Sequence, residues 1–547
     1  MESRPTPNPA PAVDSGPGAD RDVTRSAGRW LALVAIAASV LVVGLDLTVL
    51  NLALPTMSVS LHASTGDLQW IVDSYSLVLA ALILPAGLLG DRYGRKKMLL
   101  IALVLFGASS AACAYASSVG ELIVARAILG IGAAAIFPLA LSVLPVLFAP
   151  EERQKAIAAI AGSTMLSFPI GPIVGGYLLT HFWWGSVFLI NVPIVVLALI
   201  AVAALMPESR SARRPSIDLS GLVVSTVGLV ALTYGFIKAG QDGWSDAAAV
   251  ALIAAGAIIL ALLPVVERRI ARRGGQPLAD LQLFASAGFR WGTILATLVS
   301  FVMFGLFFAL PQYFQDVRGA DALGSGVRLL PLVGGMLVGM VAGTRLSAAR
   351  SGGRAALAGP RPLVTAGYLL MAAAMMLGAL TTLSSSTGYM VGWVALAGLG
   401  LGLVMPSAMG VALGALSAER SGAGSALLTA MRQVGSTIGV AILGTVISNS
   451  YSSGVASAAA HLPAQAASAV RSSVGSGVAA AGQLGSSSLL DTIRTAFVHG
   501  MDLMLWTCGG IAVGCAVLAV IVLRTRSGNA AATDAEAGAE AGSLPVM

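Results

Sequence analysis

The stretch Gly87-Leu88-Leu89-Gly90-Asp91-Arg92-Tyr93-Gly94-Arg95-Lys96-Lys97-Met98 decides how this chain is read. It sets one acid and four cations between two almost wholly apolar runs, approximately 68–89 and 98–116. A spanning helix needs about 20 mostly apolar residues, and both flanks supply them. Gly90 and Gly94 permit a tight turn and close helix approach. Asp91 is placed to accept charge-assisted hydrogen bonds from neighbouring arginines or helix ends. A short basic loop between two apolar runs of this length marks the cytoplasmic surface of a multi-pass membrane protein.

The rest of the chain repeats the pattern. Apolar residues make up 56% of the 547 positions and charged residues 10%, against about 25% charged in soluble domains. Fourteen candidate spans follow, at approximately 31–55, 68–89, 98–116, 121–146, 155–180, 186–206, 219–239, 247–266, 290–313, 326–346, 362–382, 389–413, 423–448 and 500–523. Alternating the loops tests this count. With the N-terminus inside, 24 of the 32 lysines and arginines fall on the inside. Only Lys238, Arg318, Arg328, Arg471 and Arg494 fall outside. One span more or fewer in mid-chain would scramble that separation, so both termini are expected in the cytoplasm. The net charge of +7 is therefore topological and needs no nucleic acid. Cys113, Cys508 and Cys515 lie in apolar segments with no disulfide or metal spacing. Residues 1–28 and 527–547 read as disordered tails, and 449–499 as a long outside stretch of Ala, Ser and Gly holding a surface helix, a hairpin or mobile chain.

The loop quoted above resembles the signature loop of the major facilitator superfamily, in which Gly90, Asp91, Arg92, Gly94 and Arg95 would form a conformational latch; a plain positive-inside cluster is the blander reading. Span five, Ser167-Phe168-Pro169-Ile170-Gly171-Pro172-Ile173-Val174-Gly175-Gly176, resembles the antiporter motif, with Ser167 where glycine is usual. Gly-Pro bends such a helix, and Ser167, Gly171, Gly175 and Gly176 allow close packing. Leu45-Asp46-Leu47-Thr48 through Asn51 to Pro55, Phe188-Leu189-Ile190-Asn191-Val192-Pro193 and Met431-Arg432-Gln433-Val434-Gly435 are similar to motifs of the fourteen-helix drug–proton antiporters, multidrug and antibiotic exporters of actinomycete type. The resemblance implies an all-α integral membrane protein of the major facilitator fold. Residues 29–212 would form an N-terminal six-helix lobe, 213–275 two inserted helices, and 276–526 a C-terminal six-helix lobe. Arg345, Arg350 and Arg354 would then mirror the signature loop in degenerate form.

Ionisable groups within a span cost at least about 2.5–3.5 kcal/mol at mid-bilayer and need a reason. The clear cases are Asp46, Asp73, Arg126 and Arg432. At about 1.5 Å per residue, Asp46, Asp73 and Arg126 lie at one level, roughly 7–14 Å below the outer surface. Burial favours a neutral carboxyl and a nearby cation favours the carboxylate. Asp46 beside a movable Arg126 is therefore a candidate proton carrier, and a structural ion pair is the alternative. The resemblance independently assigns coupling roles to these two residues, though Leu129 stands where the family's fourth helix often has glutamine. Asp73 reads as a second proton or cation site or as an outer-rim residue facing water.

Arg432 and Gln433, with Asn51, Phe304, Phe308 and Tyr313, are candidates for a substrate cavity; the aromatic stripe, which includes Phe301 and Phe307, reads equally as lipid-facing bulk. Spans nine to fourteen offer no clear buried acid, which argues against a strongly dicationic substrate. No nucleotide-binding loop, metal spacing or nucleophile–base arrangement is present. The expected activity is proton-driven export of a small hydrophobic molecule across the cytoplasmic membrane by a monomer, without cofactor. A metabolite symporter or uptake system of the same fold is the alternative, and an enzyme is not expected.

Overall fold

Hydrocarbon offers no hydrogen bonds, so a spanning backbone must satisfy its own polar groups, as a helix does. The computed structural model describes residues 19–148, 150–209, 219–272, 281–348, 360–416 and 421–523. Among these, every regular element is helical: α1 (Ala19–Ser60), α2 (Thr65–Tyr93), α3 (Arg95–Ala114), α4 (Val119–Leu147), α5 (Pro150–His181), α6 (Ser186–Leu189), α7 (Asn191–Leu205), α8 (Leu219–Asp242), α9 (Ala247–Arg272), α10 (Ala287–Gln312), α11 (Ala322–Ala348), α12 (Pro360–Gly378), α13 (Thr387–Gly414), α14 (Ser421–Ala459), α15 (Ala464–Ser472), α16 (Val474–Gln483) and α17 (Ser487–Val522). A π-helical turn, Tyr313–Val317, extends α10. Fourteen of the spans these helices form are long and apolar enough to cross a bilayer, α6 and α7 counting as one. Large apolar side chains such as Leu197 (68% exposed) and Ile521 (73%) face outward, as lipid allows and water does not.

Serine caps fix where several helices begin. Ser64 and Asp67 form a reciprocal capping box at α2, with Ser64 N donating to Asp67 Oδ2 at 2.9 Å and Asp67 N to Ser64 Oγ at 3.2 Å. Ser118, Ser386 and Ser486 accept from the backbones of Glu121, Tyr389 and Leu489 to start α4, α13 and α17. All four caps lie at the end of the bundle opposite the basic loop 90–97.

The apolar interior divides into two clusters. One draws on α1–α7 and takes in Phe308 and Val440; the other draws on α10–α17 and takes in Leu52. The named contacts between the two sets of helices lie from mid-helix toward the opposite end. Phe168 approaches Phe307 at 6.3 Å between ring centroids. Gln69 Nε2 donates to the carbonyls of Val440 and Ala441 at 3.2 and 2.9 Å, and Gln315 Nε2 donates to Leu52 O at 2.9 Å. Helix α8 packs on both sets: Trp70 meets Tyr234 at 5.8 Å, and Thr445 Oγ1 donates to Phe236 O at 2.8 Å.

One local expectation changes, one of two open alternatives is met, and one lies outside the described residues. Helix α1 begins at Ala19, inside the stretch read as a disordered tail. Residues 449–499 are mostly helix: α14 runs on to Ala459, α17 begins at Ser487, and α15 and α16 fill the gap. At 39 residues, α14 measures about 58 Å, well beyond the roughly 30 Å hydrocarbon core, so its last turns pack on α15–α17 outside the bilayer. Arg350 and Arg354 of the supposed mirror loop lie outside the described residues, as do 1–18 and 524–547.

Candidate transport site

Two of the four helix-borne charges meet in the core of α1–α7. Arg126 Nη1 on α4 donates to Asp46 Oδ2 on α1 at 2.5 Å, and both side chains are 1% exposed. Arg126 Nε donates to Ile71 O on α2 at 3.1 Å. Its guanidinium lies 4.3 Å from the Tyr75 ring centroid and 5.9 Å from that of Phe188, within cation–π range. Gly130, one turn on, lets α4 close on α2: a Cβ there would stand 2.7 Å from Tyr75 O. The carbonyl and the two rings supply what Leu129, fully buried itself, cannot. Nothing in the sequence marked Tyr75 as part of this site, because contact across helices depends on rotation about each axis.

Asp73 does not join the pair. It is 0% exposed, which removes the reading of a water-facing rim residue. Neither carboxyl oxygen has a hydrogen-bond partner among the described residues. It lies one turn from Gln69, whose side chain reaches α14.

The small residues of α5 bring two neighbours close. A Cβ on Gly171 would meet Thr48 Oγ1 at 2.0 Å, and one on Gly175 would meet Val49 Cγ1 at 2.8 Å, both on α1. Thr48 Oγ1 donates to Ser167 O at 3.4 Å, and Ser167 Oγ occupies the space beside Gly44. Gly176 faces the backbone of Ala322 and Leu323 on α11, and the Pro172 carbonyl faces Gly326. The motif thus packs α5 on α1 along one side and on α11 along the other.

In the loop 90–97, Asp91 Oδ1 accepts from Arg95 Nε at 2.9 Å and Nη2 at 2.7 Å. Gly94 has φ 114°, open to glycine and strained for other residues. Glu208, after α7, accepts from the backbone N–H of Lys96 and Lys97 at 3.1 Å each, and Arg95 N donates to Ser209 O at 2.8 Å. Glu208 therefore caps α3 from a distant part of the chain. The motif gave no sign of it. Arg92 lies over the Tyr93 ring at 5.5 Å.

Among the cavity candidates, Phe301, Phe307 and Phe308 are buried, so they are not lipid-facing bulk. Phe304 packs on both apolar clusters. Tyr313 is 0% exposed and its hydroxyl meets Met390 Sδ at 3.3 Å inside the C-terminal helices. Asn51 Nδ2 donates to Leu47 O at 2.9 Å, and its buried Oδ1 has no partner among the described residues. Arg432 Nε donates to Ser300 Oγ at 3.4 Å and Nη1 lies 3.7 Å from Met409 Sδ. Gln433 leaves a buried Nε2 unpartnered among the described residues. The C-terminal helices do contain half-buried acids. Asp316 sits on the π turn, just past the expected span end, and Asp502 is on α17 with one buried oxygen unpartnered among the described residues.

Residues 36–440 match the sequence profile of the Major Facilitator Superfamily. The chain belongs to this superfamily. Its members are transporters, and the 14-span all-helical architecture is a multi-pass membrane protein of that kind. The tetracenomycin C resistance and export protein of Streptomyces glaucescens is 34% identical over 510 residues, with 91% of each chain covered. The multidrug efflux pump LfrA of Mycolicibacterium smegmatis is 34% identical over 89% of this chain and 94% of its own. The methyl viologen resistance protein SmvA of Salmonella typhimurium is 32% identical over 88% and 96%. Among solved structures, a bacterial homologue of the human lysosomal transporter Spinster, in an inward-facing and unoccupied conformation, superposes with a TM-score of 0.65 at 16% identity, covering 91% of this chain and 97% of that one.

The lobe-to-lobe contacts named above run from mid-helix to the end opposite the basic loop, and Leu84 of α2 also packs on the C-terminal cluster. The buried Asp46–Arg126 pair lies on the α1–α7 side of that seam.

Proposed function

We propose that the protein is a proton-coupled antiporter that exports drug-like or antibiotic molecules from the cytoplasm. The observation that carries this reading is the buried Asp46–Arg126 pair, set among Tyr75, Phe188 and the Ile71 carbonyl. A buried pair is a poor way to gain stability but a good way to hold a proton site that a shift of one partner can switch. The resistance and export proteins at 32–34% identity support export of drug-like compounds.

The excess of basic residues in the loops taken as inside supports putting the basic loop 90–97 and both termini on the cytoplasmic side of the cell membrane. The end where Gly176 and Pro172 of α5 meet α11 then faces outside. Substrate enters from the cytoplasm between the two sets of helices, near Phe304, Arg432 and Gln433. After the lobes rock, a proton from outside neutralises Asp46 and frees Arg126, and substrate leaves outward. Return to the present arrangement restores the pair and delivers the proton inward. Asp73, buried and without a hydrogen-bond partner among the described residues, is a second candidate proton site. In this reading Asp91 and Arg95 are held to each other now and exchange partners in the other arrangement. The driving force is the proton gradient, and one chain suffices.

The test is uptake of a fluorescent substrate into everted membrane vesicles under an imposed proton gradient. Wild type should accumulate substrate and lose it on addition of an uncoupler. Asp46→Asn should reach the membrane in equal amount and accumulate none. Full-rate, gradient-driven accumulation by Asp46→Asn would remove Asp46 from the mechanism, and uptake in the reverse direction would favour the symporter reading.

A further inference from the structure

Outside arginines are scarce in this chain, as the positive-inside rule requires, yet two of the five outside cations converge. Arg318, at the end of the π turn, and Arg328, two turns into α11, line one cavity of about 10 Å³ with Phe314, Thr387, Met390 and Val391. Arg318 Nη1 donates to Leu383 O at 2.8 Å. Arg328 Nη1 is buried and has no hydrogen-bond partner among the described residues. Neither arginine forms an ion pair among the described residues. The nearby acids are otherwise placed: Asp321 is exposed and accepts from Gly324 N at 2.9 Å, and Asp316 and Asp502 make no ion pair with either. Lys238, another outside cation, is paired with Asp242 and Asp246.

Thr387 is the first residue of α13, a helix of 28 residues. Its hydroxyl and the positive end of the helix dipole are therefore presented at the same cavity. Two guanidinium groups, a helix N-terminus and a hydroxyl in one apolar-walled recess call for negative charge. The enclosed space is about that of one water molecule, so a monatomic anion is the negatively charged guest that demands the least room. We propose that the recess between Arg318, Arg328 and Thr387 binds a single halide ion, chloride in the cell. The ion would offset the repulsion between the two arginines and tie together the ends of α10, α11 and α13. Because the first turns of α11 carry Leu323 and Gly326 onto α5, a bound halide would stabilise the packed end of the molecule.

The experiment uses the purified full-length protein and needs no transport assay, so it stands apart from the proton-coupling test. Thermal unfolding is followed in sodium chloride, sodium bromide and sodium gluconate at equal ionic strength. Wild type should show a saturable rise in Tm with chloride and bromide over gluconate. Arg328→Gln and Arg318→Gln should each lose that increment, and Arg328→Lys should keep part of it. Crystals grown in bromide should show an anomalous peak between the two guanidinium groups. Equal Tm in halide and gluconate overturns the proposal, as does an undiminished halide increment in either Gln variant. If neither Gln variant folds, the anomalous map decides: a water-like feature without anomalous signal overturns it.

Discussion

Gly326 of α11 lies directly against the carbonyl of Pro172 on α5, so close that a Cβ there would stand 2.2 Å from the oxygen. The obstacle is backbone and cannot swing away. Gly326→Ala should force the two helices apart, at a cost of about 1–3 kcal/mol if the present packing is kept. The bundle can relieve that cost by opening at this end. Spin labels at Trp183 and Asp321 should report a longer distance in the variant than in wild type. An unchanged distance would mean that this contact does not hold the end closed.

The Asp46–Arg126 pair predicts an asymmetry between stability and transport. Removing one partner leaves the other charge stranded, at a cost of about 3–5 kcal/mol. Arg126→Ala should therefore be strongly destabilised in denaturation. The double variant Asp46→Leu/Arg126→Met removes both charges and should recover most of that loss while transporting nothing. A double variant as unstable as Arg126→Ala alone would show that the pair is chiefly structural.

Glu208 predicts a local effect at the basic loop. Glu208→Ala removes the acceptor for the first N–H groups of α3 and should cost about 1 kcal/mol, as other lost caps do. Hydrogen exchange should accelerate at the Lys96 and Lys97 amides before it does elsewhere in α3. Gly94→Ala is strained by its φ of 114° and would also meet the Glu208 carboxylate at 2.8 Å. Adding Glu208→Ala to Gly94→Ala should cost less than the two effects summed, because the contact between them disappears.

Ser58 and Ser473 offer a covalent probe of the packed end. Their Oγ atoms are 2.6 Å apart, joining α1 to the start of α16. In a Ser58→Cys/Ser473→Cys variant, mild oxidation should form a disulfide and arrest transport, and reductant should restore it. Full transport by the cross-linked protein would mean that α1 and α16 move as one body throughout the cycle.

Much of this was readable beforehand. Helix rise and topology put Asp46 and Arg126 at one depth, and they do meet. Asp73 shares that depth but not the contact, since depth says nothing of rotation. Glu208 and Tyr75 escaped notice because each acts on a residue far away in sequence, and neither belongs to a motif. Helices α15 and α16 are not legible in the sequence for a different reason. At 9 and 10 residues of mostly Ala, Ser and Gly, they are marginal alone and depend on buried contacts such as Tyr451 OH donating to Val470 O at 2.8 Å. For Tyr313 the sequence leaves both readings open, because an aromatic stripe on a spanning helix serves a cavity or an interior equally well.

The way α8 is held has a mechanical consequence. Toward α2 it offers the Trp70–Tyr234 ring contact, which tolerates sliding. Toward α14 it offers a directional hydrogen bond from Thr445 and a close approach at Gly240. If the two halves rock, α8 cannot follow both. It should ride as a passenger on the α14 side and serve as a greased bearing for α2, so that the inserted pair guides the path of the motion without adding to its stopping points.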